Sequence, residues 1–282
     1  MFTLGILHST VREEEKLILN AAKKRGIKSQ LVDIREEVFN PTLYTANFDL
    51  ALERSVSTVK GSYATKFIES LGITVINSSK IASICEDKFF TSLALQTAQV
   101  PTPKFALVFG IEQAKQACKQ LGDFPVVLKP NLGSWGRLLA KINDVDSLEA
   151  VIEHKDVLGS PYQKTIYIQK YIDKPGRDIR VFIVDNKAIC AIYRNSPHWI
   201  TNTARGSVAS NCPLTSELRS ISTKASQAIG GGILAIDIFE TKNGLSINEI
   251  NHTMEFKNSE VPTQISISGA IVDYCINQYK KL

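Results

Sequence analysis

Two apolar, alternating runs near the end of the chain, residues 233–239 (I-L-A-I-D-I-F) and 245–250 (L-S-I-N-E-I), are separated by Lys242-Asn243-Gly244. An Asn-Gly step between such runs is a hairpin signal, so this stretch is expected to form two antiparallel strands. Successive strand side chains point to opposite faces, which puts Asp237 on the face of Ile233 and Ala235, and Glu249 on the face of Asn251. Acids seldom sit unpaired inside apolar strands. Three hard oxygen donors on neighbouring strands suit magnesium that also bridges nucleotide phosphates. A hairpin carrying solvated acids is the competing reading.

The first 80 residues alternate strand and helix signals: strand 3–8, helix 11–25 stopped by Gly26, strands 28–33 and 49–52, helix 59–70, strand 73–76. Such alternation predicts a parallel sheet with helices packed on its faces. No Gly-x-Gly-x-x-Gly follows the first strand and no Walker A loop occurs, which excludes the dinucleotide and P-loop fingerprints. From Ser83 the pattern changes. A helix at 87–97 meets the break Val100-Pro101-Thr102-Pro103, followed by strands at 104–108, 125–129 and 138–142 with helices at 112–121 and 145–153. Strands at 165–171, 179–184 and 187–194, a helix at 217–230, the hairpin and a last helix from about 268 complete the chain. The expected fold class is α/β with α+β modules, divided at 1–83, 84–165 and 166–282.

Composition narrows the function classes. No apolar run is long enough to cross a bilayer, and the N-terminus lacks a basic lead and a cleavage site, so the first strand reads as buried and the protein as cytoplasmic. The five cysteines (85, 118, 190, 212, 275) are scattered, without metal-ligand or disulfide spacing. Net charge is +5, yet no basic block exceeds Lys23-Lys24-Arg25. That argues against nucleic acid and fits anionic ligands or an acidic protein partner.

Several segments carry polar chemistry. The loop from Lys129 to Arg137 is rich in glycine (Gly133, Gly136), so backbone N–H groups can approach an anion while the lysine adds fixed charge. A flexible turn is its bland reading. Lys88 opens the preceding helix, Gln169-Lys170-Tyr171-Ile172 ends an apolar strand, and Asp178 and Arg180 stand at the mouth of the next. Arg194 ends a further strand, and residues 201–206 form a polar loop containing Asn202, Thr203 and Arg205. Arginine grips phosphate or carboxylate through paired hydrogen bonds. Together these form a phosphoryl-transfer inventory. His198 and His252 fall within these segments and are read as structural. No G-x-S-x-G elbow occurs.

In order, Lys88, Lys129 with its Gly-rich loop, Gln-Lys-Tyr-Ile, Gly-Arg-Asp-Ile-Arg, Asn-x-x-Arg-Gly and Asp…Glu-x-Asn resemble the ATP-grasp ligases of the RimK-like branch over nearly the whole chain. The strings G-S-W-G-R-L-L-A-K, I-D-K-P-G-R-D-I-R-V-F, H-W-I-T-N-T-A-R-G, N-C-P-L-T and N-E-I-N-H-T-M-E-F-K-N-S are similar to the alpha-aminoadipate–carrier protein ligases (LysX type) of the amino-adipate route to lysine. This resemblance implies an ATP-grasp fold of three domains, with nucleotide between the central and C-terminal ones. It implies ATP phosphates on Lys88 and Lys129 under a loop of Gly133, Ser134, Trp135 and Gly136. Adenine would lie along the strand backbone of Gln169, Lys170, Tyr171 and Ile172, with Asp178 near the ribose. Asp237, Glu249 and Asn251 would hold two magnesium ions. Arg180, Arg194, Asn202 and Arg205 would surround the reacting groups as catalytic residues, and Arg194, Asn202, Thr203, Arg205, His252, Phe256 and Asn258 would bind the acceptor. Residues 51–57 would line the carrier's approach. The family's Arg-Gly-Gly reads Arg205-Gly206-Ser207 here, which questions the local backbone.

The activity so implied uses ATP to turn the side-chain carboxylate of a C-terminal glutamate, on a small acidic LysW-like carrier protein, into an acyl phosphate. The α-amino group of alpha-aminoadipate then captures it. Glutamate-adding ligases of arginine synthesis or of protein tails share the motif set and remain the alternative. A homo-oligomer, dimer or tetramer, is expected, with no nucleic acid or membrane as partner.

Overall fold

The computed structural model describes residues 2–133, 137–201 and 206–282. The N-terminal module contains β1 (Thr3–His8), α1 (Glu13–Lys24), β2 (Lys28–Asp33), β3 (Leu50–Glu53), α2 (Thr58–Ser70) and β4 (Thr74–Ile76). Its sheet has the order β2-β1-β3-β4 with every pair parallel, as the alternation predicts. Helices α3 (Ser79–Glu86) and α4 (Lys88–Thr97) follow back to back; Asp87 ends the first and caps the second by accepting from the N–H groups of Phe89 and Phe90. The sequence reading has no counterpart of α3.

The central sheet is built from β5 (Phe105–Val108), β6 (Val126–Lys129), β7 (Ala140–Ile142) and β8 (Ile166–Lys170) in the order β5-β8-β6-β7, all antiparallel. Helices α5 (Ile111–Gln120) and α6 (Val145–Leu158) cover one face. β8 pairs with β5 and β6, so the central unit extends past residue 165, and the division expected there is corrected to beyond Lys170. α4 departs from the expected 84–165 grouping as well: its Leu95 packs in the core of the C-terminal sheet.

That C-terminal sheet consists of β9 (Arg177–Val184), β10 (Lys187–Asn195), β11 (Val208–Asn211), β12 (Ile233–Thr241) and β13 (Gly244–Asn251), in the order β11-β10-β9-β12-β13. Helix α7 (Ser216–Ile229) covers one face, while α8 (Glu260–Thr263) and α9 (Ile267–Tyr279) follow the hairpin. In the hairpin Thr241 pairs with Gly244, and the positive φ (105°) falls on Gly244 after the two turn residues. Gly supplies that left-handed conformation without a Cβ clash.

Packing divides the molecule differently from its sheets. Leu4, Ile6, Leu50 and Leu52 of the N-terminal sheet share one core with Phe182, Val184, Ile233 and Ala235 of the C-terminal sheet and with α9. The central sheet closes a core of its own. Hydrophobic burial therefore joins the first and third modules into one body, against which the central unit stands.

Candidate active site

One face of β9 carries Asp178, Arg180, Phe182 and Val184 at the period of a strand. Phe182 and Val184 enter the shared core, and the two charged residues occupy the end of the strand beyond it. Register does the rest. Arg180 lies opposite Asp237 on β12, Asp237 opposite Glu249 on β13, and Arg194 of β10 opposite Asp178. Arg180 Nε and Nη2 donate to the two Asp237 oxygens (2.8 and 2.9 Å). Arg194 Nε and Nη2 donate likewise to Asp178 (2.6 and 2.7 Å), and Nη2 also stands 3.1 Å from Asp237 Oδ2. Burial alone would raise the Asp237 carboxyl, but Arg180 and Arg194 overcome it and keep the group ionised.

Lysines surround this core of matched charges. Lys129 ends β6, is 7% exposed and donates to Asn248 Oδ1 (2.8 Å). Asn248 is available because the hairpin register slips between Asp237 and Ile238, inserting it as a bulge. Burial, reinforced by Lys88 and Lys174, pushes the Lys129 ammonium down to about 7 against the pull of Glu249. Lys88 opens α4; its Nζ donates to the Gly133 carbonyl (2.6 Å) and lies 3.4 Å from Glu249 Oε1. Its backbone N–H donates to the Asn131 carbonyl (3.0 Å), tying the helix to the Gly-rich loop. Lys174 donates to Thr201 Oγ1 (2.6 Å) and sits 3.7 Å from Asp178. Five cations thus face three carboxylates (Asp178, Asp237, Glu249), an excess that favours a polyanion.

Two clefts open on either side of Asp237 and Glu249, which line both. The first, about 640 Å³, lies between the central and C-terminal sheets. Its wall includes Lys129, Gln169, Lys170, Tyr171, Ile172 and Asp178. The second, about 1060 Å³, is bounded by the N-terminal module, α3 and the C-terminal sheet; Gly133, Arg180, Asn251 and His252 line it. Phe256 and Asn258 meet Arg180 and Arg194 at a smaller recess of about 320 Å³.

A family model for the RimK-like ATP-grasp domain matches residues 85–275, and one for the LysX preATP-grasp domain matches residues 4–84. The chain belongs to the RimK-like ATP-grasp family. It is an ATP-dependent ligase of the carboxylate–amine class, and ATP and Mg²⁺ are the family's cofactors. Over 276 residues it is 34% identical to a glutamate–LysW ligase, ArgX, of Sulfurisphaera tokodaii, covering 96% of this chain and 97% of that one. It is also 34% identical over 274 residues to an alpha-aminoadipate–LysW ligase, LysX, of Saccharolobus solfataricus, with coverage of 96% and 99%. In fold it is similar to a RimK domain ATP-grasp protein from Sphaerobacter thermophilus (TM-score 0.80, 21% identity, coverage of 97% and 99%).

Several residues singled out from the sequence have definite partners in this ATP-grasp site. The Lys170 ammonium donates to the carbonyls of Gly122 and Asp123 (2.8 and 2.7 Å), leaving its backbone and stem toward the cleft. Gln169 Nε2 donates to the Tyr167 hydroxyl (3.2 Å). Both Asp178 oxygens are engaged by Arg194, and one also accepts from Thr201. His252 stands 3.7 Å from Glu86, and burial, then Arg54, pushes its imidazole down to about 4, so it is neutral. Phe256 is buried in the shared core. Gly206 has a left-handed backbone (φ 84°) and Ser207 does not, so the serine is tolerated. Ser134, Trp135, Gly136, Asn202, Thr203 and Arg205 lie outside the described residues.

The donor set fits magnesium. Among the described residues no group of three or more His, Cys, Asp or Glu side chains is arranged to hold a metal alone. Asp237, Glu249 and Asn251 offer two carboxylates and an amide, and the buried Nδ2 of the half-buried Asn251 is unpartnered. Magnesium favours such partial oxygen sets, completed by phosphate oxygens and water. Residues missed from the sequence include Lys174 and Asn248 in the first cleft, and Arg12 and Glu86 in the second. Only the D-K-P-G string around Lys174 offered a signal. Strict alternation puts Asn248 on the wrong face, and a bulge leaves no mark in the pattern.

Proposed function

We propose that this protein joins alpha-aminoadipate to a small acidic carrier protein of the LysW kind, through the side-chain carboxylate of the carrier's C-terminal glutamate. The observation that carries this reading is the wall shared by the two clefts: Asp237 and Glu249 face both, so a phosphoryl group bound in one reaches a carboxylate presented in the other. Adenine and ribose occupy the first cleft along Gln169–Ile172 and near Asp178, with Lys88 and Lys129 on the phosphates. Asp237, Glu249 and Asn251 would hold two magnesium ions, which when bound offset phosphate charge during transfer.

The carrier carboxylate attacks the γ-phosphorus and ADP leaves, giving an acyl phosphate. The acceptor's α-amino group, having lost its ammonium proton, attacks the acyl carbon; phosphate departs and an isopeptide bond remains. Arg180 and Arg194, with Asn202 and Arg205, steady the negative charge that moves through these steps. The wall's lysines and arginines also keep water from competing for the acyl phosphate by filling the space around it. The chain's net charge of +5 suits an acidic carrier, and five unpaired buried cysteines suit a reducing compartment such as the cytoplasm.

Glutamate as acceptor is the second reading, favoured by the equal identity to a glutamate–LysW ligase. One methylene separates the two acids, worth only about 1–3 kcal/mol in a pocket. The test is ADP release with Mg-ATP and carrier, each amino acid added separately. Release that needs the carrier and is faster with aminoadipate is expected. Release independent of the carrier would refute the reading, and faster release with glutamate would select the second.

A further inference from the structure

The second cleft has a polar end to which the reaction assigns no role. Ser55, two residues after β3, lines it; the residue is 3% exposed, and its hydroxyl, beside the Glu53 carboxylate, lacks a hydrogen bond of normal geometry. A buried hydroxyl in that state is costly unless something else completes it. Thr58 and Val59, the first two residues of the 13-residue helix α2, line the same end. Ser57 caps the helix by accepting from the Lys60 N–H, and its carbonyl accepts from the Gly61 N–H. The first N–H groups of a helix have no acceptor within it, and the helix dipole adds positive potential there.

Arg12 completes this end. Its Nε and Nη2 are fixed by Glu15 (3.1 and 2.9 Å), and Nη2 also donates to the Arg54 carbonyl (3.2 Å). Nη1 reaches Glu255 Oε1, another lining atom, at 3.5 Å, a contact an incoming carboxylate can displace. Glu86, Asp237 and Glu249, together with Arg180, also line the cleft. Burial, then Glu53, pushes the Glu86 carboxyl up to about 7. A cleft lined by Arg12 and by the Asp237 and Glu249 carboxylates offers partners for both charges of an amino acid.

We propose that Arg12, Ser55 and the N-terminus of α2 form a carboxylate subsite for the side-chain carboxylate of the acceptor, which directs its α-amino group to the Asp237–Glu249 wall. The inference rests on the second cleft being the acceptor site. The side-chain carboxylate is the one assigned because the α-carboxylate shares a carbon with the amine and stays beside the wall. The subsite thereby selects amino-dicarboxylates over neutral amino acids of the same length.

Ser55→Ala and Arg12→Gln test this against three nucleophiles: aminoadipate, 2-aminohexanoate (the same skeleton without the distal carboxylate) and hydroxylamine, which traps the acyl phosphate without an acceptor site. Each variant should lower kcat/KM for aminoadipate about 10- to 100-fold, through KM. Neither should change the slow reaction of 2-aminohexanoate, and carrier hydroxamate should still form. Equal loss with aminoadipate and 2-aminohexanoate, or no loss in either variant, would overturn the subsite. A wild-type protein that makes no carrier hydroxamate would overturn the ligase reading instead, and the subsite with it. Ser55→Ala removes one unpaired hydroxyl and so keeps the test independent of the Arg12 ion pairs.

Discussion

The molecule holds two buried arginine–carboxylate clusters, and they are built on different logic. In the C-terminal sheet Arg180 and Arg194 each meet a carboxylate on the neighbouring strand, Asp237 and Asp178, so both arginines are matched. In the N-terminal module Arg12 and Arg54 share one fully buried glutamate, Glu15, and Arg12 also reaches Glu255 at 3.5 Å. Arg54 keeps an unpartnered Nη2 there and stacks 5.9 Å over Phe256. The arginines of the matched cluster are both held by carboxylates, and Lys88, Lys129 and Lys174 stand around them. In the shared cluster Arg54 Nη2 is unpartnered and Arg12 Nη1 makes the longer contact to Glu255, and Arg12 lines the second cleft, which we propose receives the acceptor.

The sharpest way to break this contrast is Glu249→Gln, which keeps the shape of the wall and removes the charge both clefts share. ADP formation should fall about a thousandfold or more, with thermal unfolding unchanged. Undiminished turnover would show that the wall is not where transfer occurs. Stability gives the next largest effect. Arg194→Met leaves Asp178 and part of Asp237 buried without their partner and should cost about 3–5 kcal/mol in denaturant unfolding. Arg54→Met leaves Glu15 its three hydrogen bonds from Arg12 and removes an unpaired nitrogen, so about 1–2 kcal/mol is expected. Equal losses would erase the distinction between one-to-one pairing and a shared glutamate.

A smaller effect separates lysine from arginine in nucleotide binding. The Lys129 ammonium titrates at about 7 in the free protein because it is buried, and bound phosphates raise it. Nucleotide affinity should therefore be flat below pH 7 and weaken above it, by up to about tenfold per pH unit until the complex titrates. Calorimetry at pH 8 in buffers of different ionisation enthalpy should show proton uptake on binding. Lys129→Met should abolish the uptake, and uptake that persists would place the titrating group elsewhere.

These two clusters were not equally legible in the sequence. Asp178, Arg180, Arg194, Asp237 and Glu249 all stand in strands, where a period of two fixes their face and antiparallel pairing sets their neighbours. Even there the Asn248 bulge stayed hidden, since register depends on both strands at once. Arg12, Glu15 and Arg54 come from the start of α1 and the end of β3, and only the parallel order β2-β1-β3-β4 brings them together. The placement of α4 failed for a similar reason. Its apolar face fits any core, and packing against α7 while Phe89 and Ser92 meet Phe105 and Tyr167 of the central sheet is a tertiary choice.

The most direct test of the account is the intact mass of the carrier after incubation with Mg-ATP and equal amounts of aminoadipate and glutamate. The account predicts one addition per carrier, at its C-terminal glutamate, matching aminoadipate in excess over glutamate. A carrier that stays unmodified while ATP is consumed would contradict it.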